Sequence, residues 1–139
     1  MSNIENALRE DGAAIAKTEG DSMEPMLYNG TTVIITTPTF PLKEGDVPVY
    51  HRDDHLTMHR IIRVTDNGYV ISGDNRKNLE TDITDTDIIG VLSGFYKDGK
   101  YVDINDSKYL KYSKKMCRRY NKKALRLKIK AFFRKLLKG

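Results

Sequence analysis

Between residues 31 and 104 the chain is cut into short runs of β-branched and aromatic residues, each closed by a turn signal. TTVIITT (31–37) is β-branched almost throughout, and the Pro38 and Pro41 that come after it demand a loop. VPVYH (47–51) and LTMHRIIRV (56–64) stand on either side of a polar stretch and read as two strands joined by a turn. DNG (66–68) is a hairpin signal leading into YVIS (69–72), and IIGVLSGFY (88–96) and KYVDI (100–104) flank KDG, a second hairpin. Short strands at this spacing predict a mainly β fold, an antiparallel β-domain. Ahead of it, SNIE (2–5) reads as a capping box, Ser2 with Glu5, opening a short helix through about Arg9.

Beyond residue 107 the chain changes its chemistry. Residues 1–107 hold 10 Lys/Arg against all 19 Asp/Glu, a formal −9, whereas residues 108–139 hold 14 Lys/Arg and no acid, a formal +14. The overall +5 describes neither part. The chain therefore divides into a β-domain at 1–107 and a basic helical tail at 108–139, and its length suits one domain with one appendage. Cys117 is the lone cysteine, which forbids an intrachain disulfide and suits a reducing compartment. The N-terminal MSNIENALREDGAAIAK is polar and carries acids, so it is no secretory signal, and no run reaches the ~18 apolar residues of a membrane span. The expected location is the cytoplasm.

Within the β-domain, GDSMEPML (20–27) places a small hydroxyl, Ser22, in a loop shaped by Gly20 and Pro25. A turn serine that bonds only its own backbone is the bland reading. A serine hydroxyl becomes a good nucleophile when a neighbouring base takes its proton, and that base need be adjacent only in space. His59, held by apolar flanks in LTMHRIIRV, is the candidate base, although a strand histidine is more often structural. Asp74, in SGDN after a strand, is the candidate to orient the imidazole; its bland reading is a turn aspartate. Histidines at 51, 55 and 59 would line one face of a helix and could bind a metal there. The segment reads as a hairpin, with no HExxH and no paired cysteines, so no metal is expected.

GDSMEPML resembles the SMxP box of the type I signal peptidases and the related LexA-type self-cleaving proteins, in which the serine is the nucleophile. GDVPVYHR (45–52) resembles that family's GDVVVY-like strand, MHRIIRV (58–64) its HRI box, and GYVISGDN (68–75) its GY…GDN box. The four boxes stand in the family's order, and the likeness covers residues 19 to about 90. It implies a β-rich catalytic fold and a serine endopeptidase activity without cofactor. The general base is lysine in the bacterial and LexA-like branches and histidine in the endoplasmic-reticulum and archaeal branch; His59 makes this chain similar to the second. Asp74 then falls on that branch's GDN aspartate. A second acid, usually aspartate, comes six residues later in the pattern. Here that place holds Glu80, with Asp82 as the alternative for a longer loop. Signal peptidases carry a membrane helix before the serine, and LexA-like repressors a helix-turn-helix domain. The 21 polar residues before Ser22 are expected to hold neither.

The combined reading is a serine endopeptidase that cleaves a peptide or protein precursor bound as an added strand at a sheet edge. Ser22 attacks, His59 moves the proton, Asp74 orients His59, and backbone N–H groups around Ser22 form the oxyanion hole. The alternative is a non-catalytic peptide-binding module of the same fold, which would need none of the three side chains. On a helical wheel Tyr109, Tyr112, Met116 and Tyr120 share one face of the tail, and beyond Asn121 the pattern inverts. Leu125, Ile129, Phe132, Phe133 and Leu136 gather where the bases had been. The first part is expected to pack on the body, and residues 122–139 to meet an anionic membrane surface peripherally, on its inner face. Packing of both stripes on the domain across a kink is the bland alternative. Nucleic acid ranks lower as the tail's partner, because no recognition motif accompanies the interleaved aromatics.

Overall fold

The computed structural model describes residues 3–138, the side chain of Ala124 excepted. The capping box read at Ser2 lies outside the described residues. Helix α1 (Asn3–Asp11) leads into strands β1 (Ala13–Lys17), β2 (Thr32–Thr36), β3 (Pro48–Arg52), β4 (His55–Met58) and β5 (Arg60–Thr65). Strands β6 (Gly68–Ser72), β7 (Glu80–Ile83), β8 (Ile88–Lys97) and β9 (Lys100–Asp103) come next, and then helix α2 (Ser107–Lys138). The strands form two antiparallel sheets, so the mainly antiparallel β fold is shown. The larger runs β1-β2-β8-β3-β4, with β9 paired to β8; the smaller runs β5-β6-β7.

Alternation along β2 and β8 buries Val33, Ile35 and Leu92, the period-two signature of a sheet with one covered face, and a register shift in their pairing brings Phe95 to the same side. Leu8 of α1 joins them, and so do Met23, Met26 and Leu27 from the 20–27 loop. Three buried apolar side chains thus anchor the loop that carries Ser22, each contributing on the order of 1.5–3 kcal/mol when fully buried. A second cluster of Tyr50, Ile61, Tyr69, Ile71, Ile83 and Ile88 ties the two sheets together.

LTMHRIIRV reads from sequence as one strand, but the structure divides it at His59. β4 ends at Met58 in the larger sheet and β5 begins at Arg60 in the smaller one, so His59 marks the crossing between sheets. Both halves are apolar because each is covered within its own sheet, and the run shows no break for that reason.

Helix α2 is continuous over 32 residues, but its halves differ. Met116, Cys117 and Tyr120 bury against Ile62 of β5, and Asn121 accepts from Arg63 at 2.8 Å while donating to the Ile62 carbonyl at 3.2 Å. Tyr109 meets Phe95 edge to face at 5.0 Å. The helix comes close to the backbone at Gly45, where φ is +94° and a Cβ would lie 2.6 Å from Ser113 Oγ. From Lys122 onward every described side chain is exposed. The charge changes where α2 begins, and the first half of this basic helix packs on the domain.

Candidate active site

The Ser22 loop is held from both ends. Within it, the Glu24 N–H donates to the Asp21 carbonyl at 3.2 Å and the Leu27 N–H to the Met23 carbonyl at 2.9 Å. From outside, the turn after β6 braces it: the Asn75 N–H donates to the Ser22 carbonyl at 2.8 Å, and Asn75 Nδ2 to the Asp21 carbonyl at 3.1 Å. Arg76 Nη2 donates to the Asp21 carboxylate at 2.8 Å, and this guanidinium holds the exposed carboxyl below the usual range. Gly73 makes the closeness of the two loops possible. A Cβ there would lie 2.7 Å from the Ser22 carbonyl oxygen and 3.1 Å from His59 Cδ2. The serine loop and the imidazole edge thus converge on a space that any other residue would fill.

The opposite edge of the His59 ring faces an acid. Nδ1 lies 2.8 Å from Glu80 Oε1 and 3.2 Å from the Tyr50 hydroxyl. An ionised carboxylate only accepts, so the Glu80 contact calls for a proton on Nδ1; in a neutral ring Nε2 is then the bare nitrogen. Tyr50 donates to the same Glu80 oxygen at 2.9 Å. Burial, and then the Glu80 charge, pushes the Tyr50 phenol far above its ordinary value, so it remains a donor. Arg52 Nη2 lies 2.7 Å from Glu80 Oε2, close enough for an ion pair but misaligned for a hydrogen bond. The same guanidinium grips Asp82 at 2.8 and 3.3 Å.

Asp74 is placed elsewhere, which corrects its expected contact with His59. Its carboxylate takes a two-pronged bond from Arg60, Nε to Oδ1 at 2.8 Å and Nη2 to Oδ2 at 2.9 Å, and both side chains are fully buried. The Tyr112 hydroxyl of α2 adds a third bond at 2.8 Å. Arg60 also donates to the Gly45 carbonyl, Ser113 Oγ and Met26 Sδ, so all five of its N–H groups have partners. The physical reason is the crossing: His59 between the sheets meets Glu80 beside the groove, while Arg60, the first residue of β5, is buried against Asp74. Tyr120 of α2 donates to the carbonyls of Gly73 and Arg76, which clamps the turn that braces Ser22.

Ser22 and His59 line one groove of about 660 Å³. Met23, Leu27, Val33, Ile35 and Val49 give it apolar walls, and Lys17, His55 and Arg76 stand among its polar lining. Ala16 and Lys17 of β1 and the whole of β4 line it too. These are the two ends of the larger sheet's strand path, so the sheet curls until its edges share one groove. Among the described residues the Ser22 hydroxyl makes no hydrogen bond. Of the other two histidines, His51 Nε2 pairs with Glu5 of α1 at 2.9 Å and His55 lines the groove.

An antiparallel β-domain thus presents a loop serine and an acid-held histidine to one groove. The chain belongs to the Peptidase S24-like family, whose model matches residues 3–93. That match runs from α1 into β8 and contains Ser22, His59, Asp74, Glu80 and Asp82; it stops short of β9 and α2. The family includes serine peptidases. No curated protein matches the chain.

Proposed function

We propose that the chain is a serine endopeptidase that cleaves a peptide or protein precursor, with Ser22 as nucleophile, His59 as general base and Glu80 as the residue that orients His59. The Glu80 carboxylate at 2.8 Å from Nδ1 carries this reading, because it presets the tautomer in which Nε2 can take a proton. In the proposed reaction, Nε2 accepts the Ser22 proton as Oγ attacks the scissile carbonyl carbon. The oxyanion takes hydrogen bonds from backbone N–H groups at Ser22 and its neighbours. His59 then gives its proton to the leaving amine, and the C–N bond breaks to leave an acyl-serine. Water, deprotonated by His59, releases the acid. A histidine base is the pattern of the endoplasmic-reticulum and archaeal branch, and we assign the chain to that kind of chemistry. The substrate lies extended between the edges of β1 and β4, adding a strand to either.

The unbonded Ser22 hydroxyl favours one other reading, a peptide-binding module without turnover. Catalytic hydrogen bonds often tighten only when substrate arrives, so the two separate on activity rather than on geometry. Candidate precursor peptides are incubated with wild type and with Ser22→Ala, and the products are read by mass spectrometry. Cleavage at a defined bond by wild type alone is expected. Binding of a peptide in the groove without cleavage by wild type would establish the module instead.

A further inference from the structure

The distal half of α2 takes no part in the site, yet its sequence is patterned in both charge and apolar residues. Because α2 is one continuous helix, both halves can be placed on a single wheel of ~3.6 residues per turn. The docked stripe of Tyr112, Met116 and Tyr120 and the distal stripe of Leu125, Ile129, Phe132 and Leu136 then fall on roughly opposite sides. The distal apolar face therefore turns away from the side on which the domain sits. It is fully presented: Leu125 is 58% exposed, Phe132 60% and Leu136 60%. Phe133 extends the same face. Residues 122–138 also carry eight Lys/Arg and no acid.

We infer that residues 122–138 are an interfacial anchor that docks on an anionic lipid bilayer. The two properties of the segment decide the partner together. A nucleic-acid backbone would take the charge but give Phe132 and Leu136 nothing to bury against. The acidic body of a second copy, with its formal −9, would also draw the charge, and lipid-free self-association is the outcome that marks it. An anionic bilayer takes both, because the apolar face enters the acyl boundary while flanking Lys and Arg snorkel to the headgroups. Among the described residues no helix is long and apolar enough to cross a membrane, so this segment of ~25 Å lies along the surface. The lipid meets the side of α2 away from the domain.

The test is co-sedimentation of the full chain with phosphatidylglycerol-containing vesicles and with pure phosphatidylcholine vesicles, over a range of salt. Wild type should sediment with the anionic vesicles, less so as salt rises, and not with the zwitterionic ones. Phe132→Ser with Leu136→Ser should weaken partitioning by ~10-fold or more, since two large apolar side chains no longer leave water. Both positions are exposed, so an unchanged thermal melt verifies that the variant is folded. Ser22→Ala should bind as wild type does, which separates this inference from the peptidase reading. Absence of binding to anionic vesicles at low salt would overturn it. So would undiminished binding by the double variant, the mark of charge alone. Lipid-free self-association that the double variant abolishes, without vesicle binding, would overturn it in favour of a second copy.

Discussion

Two neighbouring side chains at the crossing between the sheets each hold an acid, and they do so in opposite surroundings. His59 meets Glu80 at the edge of a groove, with Tyr50 and Arg52 around it. Arg60 meets Asp74 in a fully buried pair closed over by Tyr112 and Ser113. The chemical parts are nearly the same: a carboxylate, an arginine and a tyrosine on each side. What differs is access. On the groove side a titratable ring keeps one nitrogen uncommitted, while on the sealed side every donor is used. The first arrangement can exchange a proton with a ligand; the second can only hold the turn and α2 in place.

The largest expected effect falls on the groove side. Ser22→Ala and His59→Ala should each lower turnover by about 10³-fold or more, with the double change scarcely worse, because groups acting in one step are non-additive. Losses that simply multiplied would show that the two side chains act separately. On the sealed side, Asp74→Asn leaves a buried guanidinium without its charge partner and should destabilise the fold by about 3–5 kcal/mol. Urea unfolding measures this, and turnover per folded molecule should change little. Glu80→Gln should behave in the reverse way, lowering turnover by about 10²-fold with a nearly unchanged urea midpoint. If Asp74→Asn stopped turnover at full stability and Glu80→Gln unfolded the chain, the two assignments would have to be exchanged.

The smallest effect is alkaline and again belongs to the sealed side. Burial raises the Cys117 thiol from its ordinary value near 9 to about 11, and burial followed by the Asp74 charge raises the Tyr112 phenol beyond that. Both groups are neutral when protonated, so the unfolded chain loses these protons first as pH rises. The thiol's contribution is complete below about pH 9 and should drain away between about pH 9 and 11, while the phenol's begins to fall only above about pH 10. Urea midpoints across that window should fall more gently in Cys117→Ala than in wild type. Equal slopes would mean that the thiol titrates alike in both states.

Much of the fold was legible in the sequence because β2, β3, β6, β8 and β9 advertise themselves with β-branched and aromatic residues between turn signals. β1 and β7 were not legible. AAIAK is mostly alanine and ETDI mostly polar, and each is a strand because β2 or β6 pairs with it. In the proposed site, Ser22 and His59 were legible as candidate chemistry, and the family pattern marked the position of Glu80. The choice between acids was not, because it depends on which way a side chain projects at a strand break that apolar flanks conceal. Tyr50 hid in the same way, its ring in the core pattern and its hydroxyl at the histidine. Arg60 carries a signal of its own: a charge inside the apolar run MHRII needs a buried partner, and Asp74 is that partner.

The most direct measurement is the tautomer of His59, read by NMR of the ring nitrogens in the folded protein at a pH where the ring is neutral. The proposed geometry predicts a proton on Nδ1 and a bare Nε2, unchanged in Asp74→Asn and lost or mixed in Glu80→Gln. A proton on Nε2 in the wild type, or a tautomer that responds to Asp74→Asn and not to Glu80→Gln, would contradict it.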